Sequence, residues 1–250
     1  MIETYYLGAY WGPRPEDATA CAQRLEHMVQ LLKPVDPLFA RWFKKAKSVK
    51  EALKRPLDSD REGLRNYIQS KLMKDDLREP MPDLGFSVGL WNGGSGGDDM
   101  WLSIGCGGYS EWVSNSCVLR APRQGPIGDR VLATPFQTEV LRAIVTAWDP
   151  DWGVAMSHAH RDLIEDTRSK VPTGWVTYLS HLRGRVPPLP APVRIEPVGD
   201  LGTLIILTPE RFTASNPEHL ALAERVRERL DRAGLLQRPG VGGTSTRPGS

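Results

Sequence analysis

The string Ser157-His158-Ala159-His160-Arg161-Asp162 holds the side chains of this 250-residue chain best suited to chemistry. Two histidines one residue apart on a strand point to the same side, where two imidazoles can clamp a metal ion that activates water. A metal-dependent hydrolase using His158, His160 and Asp162 is therefore one reading. The other is a strand-to-helix corner at which Ser157 or Asp162 caps the new helix.

The order His-x-His-x-Asp resembles the ligand motif of metallo-β-lactamase-like hydrolases. That motif continues with another histidine where Leu163 stands here, and only His181 and His219 follow, without ligand context. Gly105-Cys106-Gly107-Gly108 and the Gly93–Gly97 loop invite a phosphate cradle. Neither precedes a helix opening with Lys-Ser/Thr, and neither has the dinucleotide spacing, so both read as hairpin loops. Cys21, Cys106 and Cys117 lack the spacing of a zinc site and any local signature of a thiol nucleophile. They read as buried, reduced thiols. No metal and no other cofactor is expected.

Acidic residues beside aromatics form a different pattern. Asp98-Asp99 ends a glycine-rich loop, Asp149 and Asp151 flank a proline between Trp148 and Trp152, and Asp162, Glu165 and Asp166 follow closely. Carboxylates near tryptophan can meet a basic surface, speed encounter and fix register. Capping and solubility are the plainer roles, and Asp149-Pro150 also reads as a helix stop and tight turn. The chain has 8 Trp against 5 Phe, so the rarer aromatic outnumbers the commoner one. Trp anchors interfaces and fills cores equally well.

Composition bounds the remaining classes. Hydrophobic residues are 40% and charged residues 25%, enough for a substantial core. A net charge of +2 is too mild for an obligate nucleic-acid binder. The lysine-rich run Lys44 to Lys54 reads as a solvated helix face. No apolar run is long enough to span a bilayer, and Met1-Ile2-Glu3-Thr4 lacks the basic and apolar regions of a secretory signal. A cytoplasmic protein without a membrane partner is expected.

The elements that must position these residues alternate in texture. Thr4 to Tyr10 reads as a strand, and Ala18, Cys21, Leu25, Met28, Val29 and Leu32 mark one face of a helix. Asp36-Pro37 predicts a second helix with Leu38, Trp42 and Phe43 on its buried side, and Ser48 to Glu51 form a capping box. A helix is expected over Arg61 to Met73. Gly85 to Trp91 and Met100 to Cys106 read as a hairpin, Cys117 to Arg120 as a strand, and Phe136 to Trp148 as a helix. Gly153 to Met156 and Trp175 to Leu179 are further strands. Val193 to Glu196 and Thr203 to Leu207 form a second hairpin after the stiff Pro187 to Pro192 connector. Asn216-Pro217-Glu218 opens a last helix, Leu220 to Ala233, which Gly234 closes. The order predicts an α+β fold, an antiparallel or mixed sheet with helices packed on it. A single domain over residues 1–236, with two similar α/β halves near 1–120 and 130–236, and a disordered tail over 237–250 complete the expectation.

Several of these segments resemble one family. Tyr5 to Gly12, Asp36-Pro37-Leu38-Phe39-Ala40-Arg41-Trp42-Phe43, Leu84 to Gly93, Trp148-Asp149-Pro150-Asp151-Trp152-Gly153 and Gly174 to Ser180 are similar to segments of the immunity protein 52 family. The resemblance runs from Tyr5 to about Leu236. It implies an antidote of bacterial polymorphic toxin systems, type VI secretion among them, encoded beside a toxin whose domain is similar to restriction-endonuclease-fold nucleases. It also implies a protein that binds that toxin and breaks no covalent bond itself. The family supplies no catalytic residues to carry over. On residue chemistry, Trp91, Asp98, Asp99, Asp149, Asp151 and Trp152 are the expected partner-binding set, with no direct contact to nucleic acid. A hydrolase and a binding scaffold unrelated to toxins remain as alternatives.

Overall fold

The strand β1 (Tyr5–Trp11) is apolar along both faces and buried over nearly all its length. In the computed structural model, which describes residues 3–95, 98–120, 122, 125–164 and 170–238, it runs through the middle of a nine-stranded sheet. The segment after it breaks at Pro13 and Pro15. Asp17 then accepts from the amide of Ala20 at 2.7 Å and opens α1 (Ala18–Leu32), which buries Cys21, Leu25, Met28 and Leu32 at helical spacing.

The chain continues through β2 (Phe43–Lys44), α2 (Val49–Ala52), α3 (Arg61–Gln69), β3 (Phe86–Trp91), β4 (Trp101–Cys106) and β5 (Asn115–Arg120). Then come α4 (Gly125–Val131), α5 (Thr134–Trp148), β6 (Trp152–Ser157), α6 (His158–Leu163), β7 (Val176–Ser180), β8 (Arg194–Val198), β9 (Gly202–Ile206) and α7 (Pro217–Arg232). The sheet order is β2-β3-β4-β5-β1-β6-β7-β9-β8, and every neighbouring pair is antiparallel. The fold is α+β, as the element order predicts.

Alternation sorts the side chains onto two faces. Leu7 and Ala9 of β1, Val88 and Leu90 of β3, Ile104 of β4 and Leu119 of β5 lie on one side and join the main core. On that side α5 lies against β1, β6 and β7, α3 lies against β3, and α1 packs between α3 and α5. Trp148 at the end of α5 stacks on Trp11 at 5.4 Å and directs its indole N–H to the Met28 sulfur of α1 at 3.1 Å. The three cysteines are free and buried in this layer. Burial pushes the Cys117 thiol up, and Cys106 is raised by the neighbouring Cys21 and by burial.

The helix ends follow local rules. Asp149 turns through the left-handed region (φ 46°) to end α5, as Asp149-Pro150 predicts. Gly234 (φ 73°) ends α7 in a Schellman arrangement. Its amide donates to Asp231 and the amide of Leu235 donates back to Leu230, at 2.8 and 3.0 Å.

Some elements differ from expectation. Asp36-Pro37 opens only one 3-10 turn, Pro37–Phe39, although Asp36 caps it as predicted at 2.9 Å. Trp42 joins the main core while Phe43 packs with Ala52 and Trp91 in a separate cluster, so the two aromatics point to opposite sides as strand residues do. The expected 61–73 helix stops at Gln69. At the capping box, Ser48 accepts from the Glu51 amide at 3.3 Å. Helix α4 lies where no helical periodicity is written. Its Arg130 pairs with the buried Asp36 at 2.7 Å.

Gln237 and Arg238, at the start of the expected tail, pair with Lys170 and lie over Trp152 respectively. The rest of that tail, 239–250, lies outside the described residues. Among the described residues, no helix is long and apolar enough to cross a membrane.

Candidate protein-binding face

The second face of the sheet is covered at its flanks and open in its middle. At one flank, Ala52 of α2 sits against Phe43 and Trp91. At the other, Gly174 passes so close to Val154 and Met156 that a side chain there would come within 2.8 Å of both. The amide of Val171 donates to Leu236 in the same region, tying residues 170–175 to the chain beyond α7. Between these covers β4 and β5 are open, and β1 borders them with its own residues largely buried.

The register sets three cross-strand rows on this open face. Trp91, Trp101, Arg120 and Tyr6 form the first, with direct pairing from β3 to β1. Gly89, Ser103, Val118 and Gly8 form the second. Ser87, Gly105, Ser116 and Tyr10 form the third, which Trp152 extends onto β6. The middle row has little side-chain height and is flanked by aromatic rings, so the face is a trough. The ring of Tyr10 leans over Gly8, where any β-carbon would come within 2.8 Å of it. That glycine lets the stack of Tyr10 on Trp152 form.

The trough deepens into a cleft of about 490 Å³ at β5, β1 and β6. Tyr10 and Trp152 wall it, with the guanidinium of Arg238 5.3 Å from the Trp152 ring. Tyr6 and His158 meet at 5.0 Å. Arg120 and Arg161 also line it, and Arg161 is paired with Asp162 at 2.8 Å. Burial raises the Tyr6 and Tyr10 phenols, so both present neutral O–H groups near neutral pH. Asp151 is the one carboxylate lining the cleft among the described residues, and it accepts the Gly12 amide at 2.7 Å.

The loop between β4 and β5 stands at the mouth of the cleft and reaches it through Ser114. It carries Tyr109 and Trp112, and Trp112 is 87% exposed. The base of the loop is fixed by Asn115. Its side-chain amide donates to Gly12 and Gly108 at 2.8 and 2.9 Å, and its oxygen accepts from the Gly108 amide at 2.9 Å. Gly105-Cys106-Gly107-Gly108 thus ends a strand and turns the chain toward this anchor, with Gly107 at φ 73°.

The residues singled out by sequence fall around this face. Trp91 and Trp152 project onto it but are buried, Trp91 beside Trp101 at 5.8 Å. Asp99 accepts the Trp101 indole N–H at 2.9 Å, and Asp151 sits in the cleft. Asp98 accepts from the Asn92 amide through its backbone carbonyl. Asp149 is exposed at the end of α5, where its carbonyl accepts from Arg14. Glu165, Asp166 and two glycines of the 93–97 loop lie outside the described residues.

His158 and His160 do not share a strand. Ser157 accepts from the amide of His160 at 3.0 Å and starts α6, the capped corner anticipated as the alternative. On a helix the two imidazoles diverge. His158 turns to Thr4 and Tyr6, and His160 is buried against Phe212 at 4.7 Å. Among the described residues, no three His, Cys, Asp or Glu side chains are grouped to hold a metal.

Trp112, Arg120, Arg161 and Arg238 are functional candidates that residue pattern alone does not single out. Only Trp112 carried a readable signal, an aromatic in a loop of small and polar residues. The arginines are gathered from distant parts of the chain by the sheet.

The chain matches the family model Immunity protein 52 over residues 3–239. No curated protein matches it. Among solved structures it is similar to the Pseudomonas aeruginosa T6SS protein PA0821, with a TM-score of 0.52 and 11% identity over 93% of this chain and 77% of that one. At that identity the likeness is one of fold. The family match spans nearly the whole chain, the full sheet and both flanks of the open face included: the protein belongs to the immunity protein 52 family.

Proposed function

We propose that this protein neutralises a cognate nuclease-type toxin in the cytoplasm of the cell that makes both, by occupying the toxin's surface rather than by turnover. Membership of an immunity family supports a toxin partner. The relative described as a T6SS protein supports delivery of that toxin by type VI secretion. The nuclease character of the toxin rests on the family resemblance.

The observation that carries a binding mode is the uncovered centre of the sheet. An antiparallel sheet with helices on one side commonly leaves its other face to water and lines it with polar side chains; here that face carries the aromatic residues Trp101, Tyr6 and Tyr10 beside glycines. Trp101 on the first row, and Tyr109 and Trp112 on the loop that reaches the cleft through Ser114, are all exposed, and aromatic anchors of this kind dominate interface energetics. A standard interface of about 1,600 Å² in total is enough for occlusion. The stacks and polar anchors beneath the trough pre-form it, so little ordering opposes binding.

Co-expression with the toxin domain encoded beside the gene tests this reading. Growth should be rescued, and the two chains should co-purify one-to-one. Rescue by a chain that never associates with the toxin, or turnover of a substrate by the isolated protein, would overturn it.

A further inference from the structure

The sign of charge on the open face specifies the partner more narrowly. Three arginines, Arg120, Arg161 and Arg238, line the cleft against the single carboxylate of Asp151, which already accepts the Gly12 amide. Lys45 extends the same sign along the trough, its side chain lying over Gly89. Arg120 is exposed and directly opposite Trp101 in the β4–β5 ladder, and it has no carboxylate partner among the described residues. The sequence pattern suggests acidic loops meeting a basic toxin surface. In the fold, Asp99 is taken by the Trp101 indole and Asp151 by a backbone amide. Of the arginines lining the cleft, Arg161 is paired with Asp162 at its exposed edge and Arg238 donates to the Lys170 carbonyl, which leaves Arg120 as the cation most open to a new carboxylate.

Resting on the immunity reading above, we propose that the cleft receives an acidic, protruding segment of the toxin. Its carboxylates pair with Arg120, Arg161 and Arg238 while Trp112 closes over it from the loop at the mouth. Guanidinium groups suit this task because their planar forks bind carboxylates through two parallel hydrogen bonds. The aromatic walls on one side of the cleft shield part of each pair from water. A cleft of about 490 Å³ has room for the tip of a loop or a helix end rather than for a whole element. The polar trough leading to it gives that segment a path across β4 and β5.

Association of the toxin domain with wild-type protein, Arg120→Glu, Arg161→Glu and the double variant is measured by surface plasmon resonance at low and high salt. Both side chains are solvent-facing, and circular dichroism checks that the variants are folded. Wild-type association should slow as salt rises. The double variant should associate at least about tenfold more slowly at low salt and lose most of the salt dependence. Asp98→Lys with Asp99→Lys should leave association unchanged or speed it.

Wild-type binding with arginine variants within twofold of it would sink the acidic-segment assignment while leaving the immunity reading intact. Slower association of the Asp98/Asp99 variant would do the same, since it would mark the partner as basic. Arginine-dependent binding of a single-stranded oligonucleotide that displaces the toxin would reassign the cleft to nucleic acid. Failure of the wild-type protein to bind the toxin at all would remove the immunity reading, and this inference with it.

Discussion

Tyr10 and Trp152 sit directly opposite each other across the β1–β6 ladder and stack at 4.2 Å with their planes 20° apart. Arg238 lies against the Trp152 ring, so an aromatic pair from the centre of the sheet holds a residue from the far end of the described chain. The cleft wall is thus made of core packing, and its shape is tied to the stability of the sheet.

Trp152→Ala should therefore lower stability by about 3–5 kcal/mol, because it removes a buried ring and leaves a void under Arg238. Trp152→Phe keeps an aromatic partner for Tyr10 and should lose less than half as much. Arg238→Ala removes the cation over the ring and a 3.3 Å hydrogen bond to the Lys170 carbonyl, and should lose about 1 kcal/mol. Urea denaturation of the three variants gives the ranking. Equal losses for Ala and Phe would show that the stack does not support the wall.

Trp112 predicts the opposite split. It is almost fully exposed, so Trp112→Ala should change stability by less than about 0.5 kcal/mol. At a protein interface, truncating an anchoring tryptophan typically costs about 2 kcal/mol or more, close to a thirtyfold loss of affinity. Toxin binding should fall by that factor with the melting temperature unmoved. An unchanged affinity would take the loop out of the interface.

The sheet and its helices were legible because their residues repeat at the periods of the elements they form. Tyr5 to Trp11, Phe136 to Trp148 and the last helix follow from local pattern and caps. The segment Asp36 to Phe43 misleads because Asp-Pro marks the start of a turn but does not say how long it lasts. Trp42 and Phe43 then read as one helical face although they serve two clusters. Helix α4 is hidden by its two glycines and a proline, and the Asp36–Arg130 pair ties it to the 3-10 turn. The open face is least legible of all. Whether Gly8, Ser103 and Ser116 line a trough or fill a loop depends on strand order, and sequence spacing does not encode order. The acidic residues were visible as types, yet their engagement by Trp101 and Gly12 arises only in three dimensions.

His160 gives a pH prediction. Burial lowers its pKa to about 4, with a smaller opposing effect from Glu3. The unfolded chain, with an ordinary histidine near 6.5, binds a proton that the folded chain refuses between those values. Stability from neutral His160 is thus fully present above about pH 6.5 and is lost as pH falls toward 4. The loss from pH 7 to pH 5 should be about 2 kcal/mol. His160→Gln should flatten this slope, as followed by urea denaturation at the two pH values. A slope unchanged in the variant would assign the titration to another group.

Asn115 links the fold to the binding face, because one buried amide holds two loops together. Its nitrogen donates to the carbonyls of Gly12 and Gly108 while its oxygen accepts from Gly108, so three of its four hydrogen-bonding positions are filled by backbone. Asn115→Ala leaves those backbone groups without partners in a site too enclosed for easy solvation, and should lower stability by about 2–3 kcal/mol. Asn115→Asp keeps the shape and the acceptor but turns both donors into acceptors facing two carbonyls, so it should be at least as damaging. The loop carrying Tyr109 and Trp112 rests on this anchor. Hydrogen exchange in residues 107–114 should therefore accelerate in Asn115→Ala well before global unfolding, and toxin dissociation should quicken. If exchange there stays at the wild-type rate while global stability falls, Asn115 supports the sheet alone and the mouth of the cleft is held by something else.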